Sequence, residues 1–278
     1  MKRLSRVIAV LCIVLGLAGS GHCAGSLDFV IIQPGQPGTP EEAQPTMDAL
    51  GAYVQKKMGG GSQVKGRYFN ELEPALELLR TSPPAWGIVS LPFYVSHGRG
   101  FAMKPLASSR PGGYDKDMWR LAVSTSGPDD WHQLKGVVSG TMLYDSEAAA
   151  CLLFGSKAAV LPFRLSGTPQ PLMALRRMIQ GKAAGVVLDR AQYEALKQSP
   201  SVDSIKITHQ SKELPFSPVV WFGGPDARQK QLTSVFLEMK RSPEGQALLR
   251  QLQTDGFGPA DGALETLVQE GEHGPCKP

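Results

Sequence analysis

Apolar and polar positions follow two rhythms along this chain, and the switches between them mark its elements. Leu27 to Ile32 is a short apolar run with β-branched residues that stops at Pro34-Gly35, the pattern of a buried strand. Thr39-Pro40-Glu41-Glu42 then opens a helix: Thr39 can cap, Pro40 suits the first turn, and Glu42 can reach back to close a capping box. That helix runs to about Met58 and ends at Gly59-Gly60-Gly61. Gln63 to Phe69 reads as a strand, Asn70 to Arg80 as a second box-capped helix, and Trp86 to Val89 as a buried strand. Ser90 to His97 makes a short helix or turn, and Phe101 to Ser108 a further strand.

The same style repeats. Met118 to Thr125 is a strand in which Arg120 must find water or a partner. Val137-Val138 is a strand leading through Ser139-Gly140-Thr141 to a helix over Asp145 to Phe154. Leu161 to Leu165, Ala184 to Leu188, Ile205 to Ile207 and Val219 to Phe222 are strands. Thr168-Pro169 opens a helix reaching Gln180, and Asp189-Arg190-Ala191-Gln192 is another capping box. The tail is helical, from Asp226 to Lys240 and again from Ser242-Pro243-Glu244-Gly245.

Strands alternating with helices imply βαβ units in α/β lobes, with sheets that are mixed but mostly parallel. Two such blocks imply two lobes. The final helices need a surface, and the first lobe supplies it. The expected organisation is therefore residues 25–120 as the first part of lobe one, 121–222 as lobe two, and 223–278 as a return to lobe one. Two hinge strands would cross between the lobes, near Leu121 to Ser126 and Val219 to Phe222.

The first 24 residues have the composition of a secretory leader. Lys2, Arg3 and Arg6 precede the apolar run Val7 to Ala18, and small residues lead to a cleavage point near Ala24. The run is shorter than the ~20 residues a membrane span needs. Cys23 follows Ser20-Gly21-His22, a poor lipidation signal. An exported chain of this kind is expected in the periplasm. Losing the leader takes the formal net charge from +4 to +1, which leaves no nucleic-acid footprint. Cys151 and Cys276 remain in an oxidising compartment, where a bridge between them is permitted but not required. His97, His132, His209 and His273 have no metal-ligand spacing, and nucleophile-elbow and phosphate-loop motifs are absent. No metal or cofactor is expected.

Ligands of open α/β sheets sit beyond the carboxyl ends of the strands, where helix N-termini offer free N–H groups. That rule selects Gln33, Thr39, Ser90, Phe93, Tyr94, Ser139, Gly140, Thr141, Tyr144 and Asp189 as candidate ligand-binding residues. Each has a plain alternative. Thr39 and Asp189 are helix caps first and ligand contacts second, Ser90 is either, and Phe93, Tyr94 and Tyr144 can serve as packing. Ser139-Gly140-Thr141 could form a nest of N–H groups for an anion. Ser124 to Ser126 suit the hinge better than the ligand, and Trp221 either faces the cleft or plugs the hinge.

Several of these segments, in this order, resemble the periplasmic phosphate/phosphonate-type binding proteins of ABC transporters. They are Leu27 to Ile32 with its capped helix, Trp86-Gly87-Ile88-Val89-Ser90, Gly185 to Asp189, Ser242-Pro243-Glu244-Gly245-Gln246 and Asp255-Gly256-Phe257. The resemblance implies the type 2 periplasmic binding protein fold, a small-molecule ligand held between two lobes, and an ABC permease as partner of a monomeric, non-enzymatic receptor. Phosphonate binders present a Ser-Thr-Ser-Gly-like turn on the second lobe; here Ser139 to Tyr144 keeps two hydroxyls and one glycine. A phosphate/phosphonate-like oxyanion or a small organic acid is the expected ligand. The alternatives are a ligand-sensing adaptor of a membrane signalling partner and a periplasmic hydrolase.

Overall fold

All four residues of the first strand, β1 (Phe29–Ile32), are buried, as its unbroken apolar run requires. The rest of the structure, a computed structural model, is built outward from such strands. Residues 26–60 and 63–273 are described, so the expected leader lies outside them. After β1 come α1 (Pro40–Lys57), β2 (Gly66–Phe69), α2 (Leu72–Thr81), β3 (Trp86–Val89), α3 (Leu91–His97) and β4 (Lys104–Ser109). Next are β5 (Arg120–Ser124), β6 (Val137–Gly140), α4 (Ser146–Phe154), β7 (Arg164–Gly167), α5 (Pro171–Ile179), β8 (Gly185–Leu188), α6 (Arg190–Lys197) and β9 (Ile205–Gln210). The chain finishes with β10 (Pro218–Trp221), α7 (Arg228–Glu238), α8 (Pro243–Gln251), β11 (Phe257–Pro259) and α9 (Ala263–His273).

Two sheets result, with strand orders β11-β4-β10-β3-β1-β2 and β7-β6-β8-β5-β9. In the first, β10 and β11 run against the other strands; in the second, only β5 does. The sheets are thus mixed with one dominant strand direction. The first buries the Phe29–Trp86 stack, with centroids 4.3 Å apart, beneath α1, α7 and α8.

The hinge lies outside the segments the sequence suggests. The first crossing runs through residues 110–119 and the second through 211–217, since β4 and β10 belong to one sheet and β5 and β9 to the other. Val219 to Phe222 reads as a crossing because it precedes the terminal helices, yet Pro218 to Trp221 is an interior strand of the first sheet. Trp221 is accordingly buried in that lobe with the Arg228 guanidinium over its ring, away from cleft and hinge. Ser124 to Ser126 stand at the end of β5 remote from the hinge. The terminal segment also has a strand of its own, β11, whose three residues are too few to show a pattern.

The crossings pair with each other. Asp117 and Leu214 exchange both backbone bonds, at 2.8 and 3.0 Å, and the Ser211 N–H donates to the Trp119 carbonyl at 2.9 Å. Strand direction places both crossings at the carboxyl ends of the parallel strands. Local sequence is otherwise followed closely. Thr39 and Asp189 form complete capping boxes with Glu42 and Gln192. Asn70 does not cap α2; its side-chain amide donates to the Gly38 carbonyl at 2.6 Å, and Glu71 takes the cap position without a side-chain bond. Arg120 finds its partner in the Tyr193 ring, 4.4 Å away. Cys151 is disulfide-bonded, which settles that it is not a free thiol.

Candidate functional site

The carboxyl ends of both sheets and the paired crossings enclose a cleft of about 540 Å³. Gln33, Thr39, Glu42, Ser90 and Phe93 line it from the first lobe; Thr141, Tyr144, Asp145, Asp189 and Gln192 line it from the second. Asp117, Trp119 and Phe216 of the crossings form its floor. Seven of the ten sequence candidates therefore meet in one cavity: Gln33, Thr39, Ser90, Phe93, Thr141, Tyr144 and Asp189.

The other three stand behind it. Tyr94 is buried inside the first lobe, where burial pushes its phenol up to about 12, with a smaller contribution from Glu265. Ser139 and Gly140 are strand residues of β6 paired with β7. The expected nest does not form, because it needs an αL residue and Gly140 has no positive φ. The Gly140 carbonyl instead accepts from the Leu143 and Thr168 N–H groups.

Two of the helix starts around the cleft, those of α4 and α6, already carry the protein's own anions, while the Ser90 hydroxyl caps α3, whose first turn holds no acid. Asp145 caps α4, accepting from the Ala148 N–H at 3.1 Å. At α6, Asp189 accepts from the Gln192 N–H at 2.7 Å, and Asp117 accepts from the Arg190 N–H at 2.9 Å. Asp117 also takes the Trp119 indole N–H at 2.8 Å, so one buried carboxylate ties hinge to helix. Two acids at one helix start repel each other. Burial first, then the Asp117 charge, pushes the Asp189 carboxyl from 3.8 up to about 6, against the N–H bonds that favour ionisation. Gln192 completes the group, donating to the Thr141 hydroxyl at 3.0 Å. Thus Glu42, Asp117, Asp145 and Asp189 line the cleft, and no Lys or Arg does so among the described residues.

Sequence reasoning passed over Asp117 and Gln192 as site residues. Asp117 carried one usable signal: an acid two residues before an apolar strand and its tryptophan.

Among the described residues, side-chain contacts join the lobes on both flanks of the cleft. The Tyr144 ring lies between Gly35 of the first lobe and Gly167 of the second, where added Cβ atoms would sit 1.9 and 2.3 Å from ring carbons. On the other flank Ser96 of α3 donates to Asp145 at 2.5 Å, with His97 4.0 Å from the same carboxylate. This meeting of Ser, His and Asp is not a nucleophile–base pair, since the hydroxyl donates to the carboxylate and the imidazole Nε2 is unpartnered. Gly35 also has φ +88°, a backbone that side chains resist. Gly35→Ala is therefore expected to displace Tyr144 and open the rim, measurable as a larger radius of gyration by X-ray scattering; an unchanged radius would show that the ring yields without moving the lobes.

The fold and the cleft now admit comparison. XAC2383 from Xanthomonas citri, solved bound to chloride ion, is similar over 90% of this chain and 97% of its own, with TM-score 0.70 and 17% identity. PhnD1 from Prochlorococcus marinus in complex with methylphosphonate covers 89% of this chain and 97% of its own, with TM-score 0.62 and 12% identity. A binding protein component of an ABC phosphonate transporter from Pseudomonas aeruginosa, PA3383, covers 90% and 88%, with TM-score 0.61 and 14% identity. This chain has the two-lobed fold of these binding proteins.

Residues 165–264 of this chain also match the family described as "ABC transporter, phosphonate, periplasmic substrate-binding protein". That match spans about half of the second lobe and the return to the first, including Asp189, Gln192 and the second crossing. No curated protein matches the sequence. No helix among the described residues is long and apolar enough to cross a membrane, and no group of residues there could hold a metal ion.

Proposed function

We propose that the binding protein captures a small solute between its lobes and delivers it to an ABC permease, the solute carrying an ammonium or hydroxyl-rich end. The carrying observation is the charge of the cleft: among the described residues four carboxylates line it and no Lys or Arg does. A bare oxyanion brought there would be repelled by these carboxylates, with Asp145 already occupying the start of α4 and Asp117 and Asp189 that of α6. A cation would instead relieve the Asp117–Asp189 repulsion and favour ionised Asp189. Hydrogen bonds from Gln33, Ser90 and Thr141 would orient the rest of the molecule, and the aromatic floor would cover its apolar part. Closure follows if the solute binds both lobes and so favours the closed arrangement.

The expectation of a simple phosphate-like ligand thus shifts toward a zwitterion or amine. PhnD1 shows that this fold accepts a phosphonate, and XAC2383 has also been solved bound to ATP, so the fold itself does not choose.

Calorimetry with amines, amino acids, aminophosphonates, polyols and plain oxyanions tests the reading. Amine ligands should bind more tightly above pH 6 than below it, because Asp189, pushed up to about 6, must lose its proton to pair with them. Binding confined to plain oxyanions, or amine binding that strengthens on acidification, would remove the reading.

A further inference from the structure

Between Glu147 and Asp189 the sequence holds five cations and no acid. The fold collects Arg164, Arg176, Arg177 and Lys182, together with Lys135, at the end of the second lobe opposite the cleft. Strands β6, β7 and β8 all begin there: Lys135 lies just before β6, Arg164 opens β7, and Lys182 lies in the turn before β8. Backbone bonds knit these segments together. The Arg164 N–H donates to the Gly136 carbonyl at 2.9 Å, Ala184 to Val137 at 3.0 Å, and Lys182 to Arg177 at 2.8 Å.

All five side chains are exposed, and none makes an ion pair among the described residues. The acids of this end, Asp129, Asp130 and Asp203, stand toward β9, where Asp129 pairs with Lys206 and Asp130 with His132. Helix α5 runs from the carboxyl end of β7 back to this end, so its outward side continues the face along the flank of the lobe. It buries Ala174, Leu175 and Met178 against the sheet and turns Arg176 and Arg177 outward with Leu172 and Met173, which are 71% and 55% exposed.

We propose that this face docks the protein on an anionic phospholipid surface. The cations would be drawn to the headgroups, while Leu172 and Met173 enter the interface beside them, the pairing that interfacial helices use. Favourable charges at a helix C-terminus would account for Arg176 and Arg177 alone. They leave Lys135, Arg164 and Lys182, on separate segments, and the two outward apolar side chains without explanation. A bilayer fits better than a protein partner, because the cleft between the lobes includes none of these residues and, among the described residues, no aromatic anchor stands with them.

Flotation with phosphatidylglycerol–phosphatidylcholine vesicles, against pure phosphatidylcholine, tests this independently of any solute. The expected result is binding to the anionic vesicles only, reversed by salt. Arg176→Ala/Arg177→Ala should weaken it roughly 25-fold, about fivefold for each cation. Leu172→Ser/Met173→Ser should weaken it while keeping the salt dependence. Lys104→Ala/Arg250→Ala, which removes the same charge from exposed positions of the first lobe, should leave it unchanged. Absence of binding, equal loss in the two charge variants, or a face that captures an acidic protein but no vesicle overturns the proposal.

Discussion

Trp86→Ala is expected to lower the stability of the protein by about 3–5 kcal/mol, the range for removing a large buried aromatic. Trp86 is fully buried in the middle of the first sheet, stacked on Phe29 at 4.3 Å and edge-on to Phe236 at 5.3 Å. Its indole N–H donates to the Leu27 carbonyl at 2.8 Å, so alanine leaves both a cavity and an unpaired acceptor. Close packing around it limits relaxation: a Cβ placed on Gly66 would lie 2.3 Å from the Phe29 ring. For a chain of this size the loss corresponds to a fall of roughly 10–15 °C in Tm. Calorimetric melting checks it, and a drop of only a degree or two would mean that the neighbours collapse into the space.

Asp189→Asn should do the opposite at neutral pH, raising stability by about 2 kcal/mol while weakening an amine ligand. The Asp189 carboxyl titrates near 6 in the folded protein against 3.8 as its ordinary value. A carboxyl with a raised folded pKa favours the folded state fully below the ordinary value, and that contribution disappears as pH rises through 6. Above pH 6 the wild-type protein therefore carries an ionised group that its surroundings oppose. Two pKa units correspond to about 3 kcal/mol at most, reduced here because Asp189 is only partly buried. Asparagine keeps the α6 cap without the charge. Melting curves should then show the variant's advantage at pH 7.5 and its disappearance near pH 4. An advantage that persists at pH 4 would assign it to something other than this charge. Stability gained as binding is lost is the pattern of a group retained for its site.

Much of this was legible beforehand because the signals were local. The Thr39–Glu42 and Asp189–Gln192 boxes, the all-buried β1, β3 and β8, and seven cleft residues follow from caps and apolar runs that act within a few positions. What escaped depends on where distant segments meet. Val219 and Val220 have the pattern of any buried strand, and nothing nearby says that they pair with Ile88 and Gly87 on one side and Ala107 and Pro105 on the other. Asn70 was drawn from its expected cap by a carbonyl 32 positions earlier in the chain. The nest failed at Ser139 and Gly140 because sheet pairing with β7 claimed their backbone. The acidity of the cleft was hidden for the same reason, since Asp117 and Asp189 become neighbours only when β5 pairs antiparallel with β8.

The position of β10 also bears on how the protein is made. Synthesis delivers every strand of the second sheet, β5 to β9, in one uninterrupted stretch, so that half can ripen early. Its counterpart has to wait. Until β10 emerges, β3 and β4 have no common neighbour, and the N-terminal half must hold open a slot through the birth of more than a hundred later residues. The first lobe to begin is the last to be finished, which leaves its apolar strands exposed to chaperones throughout that interval.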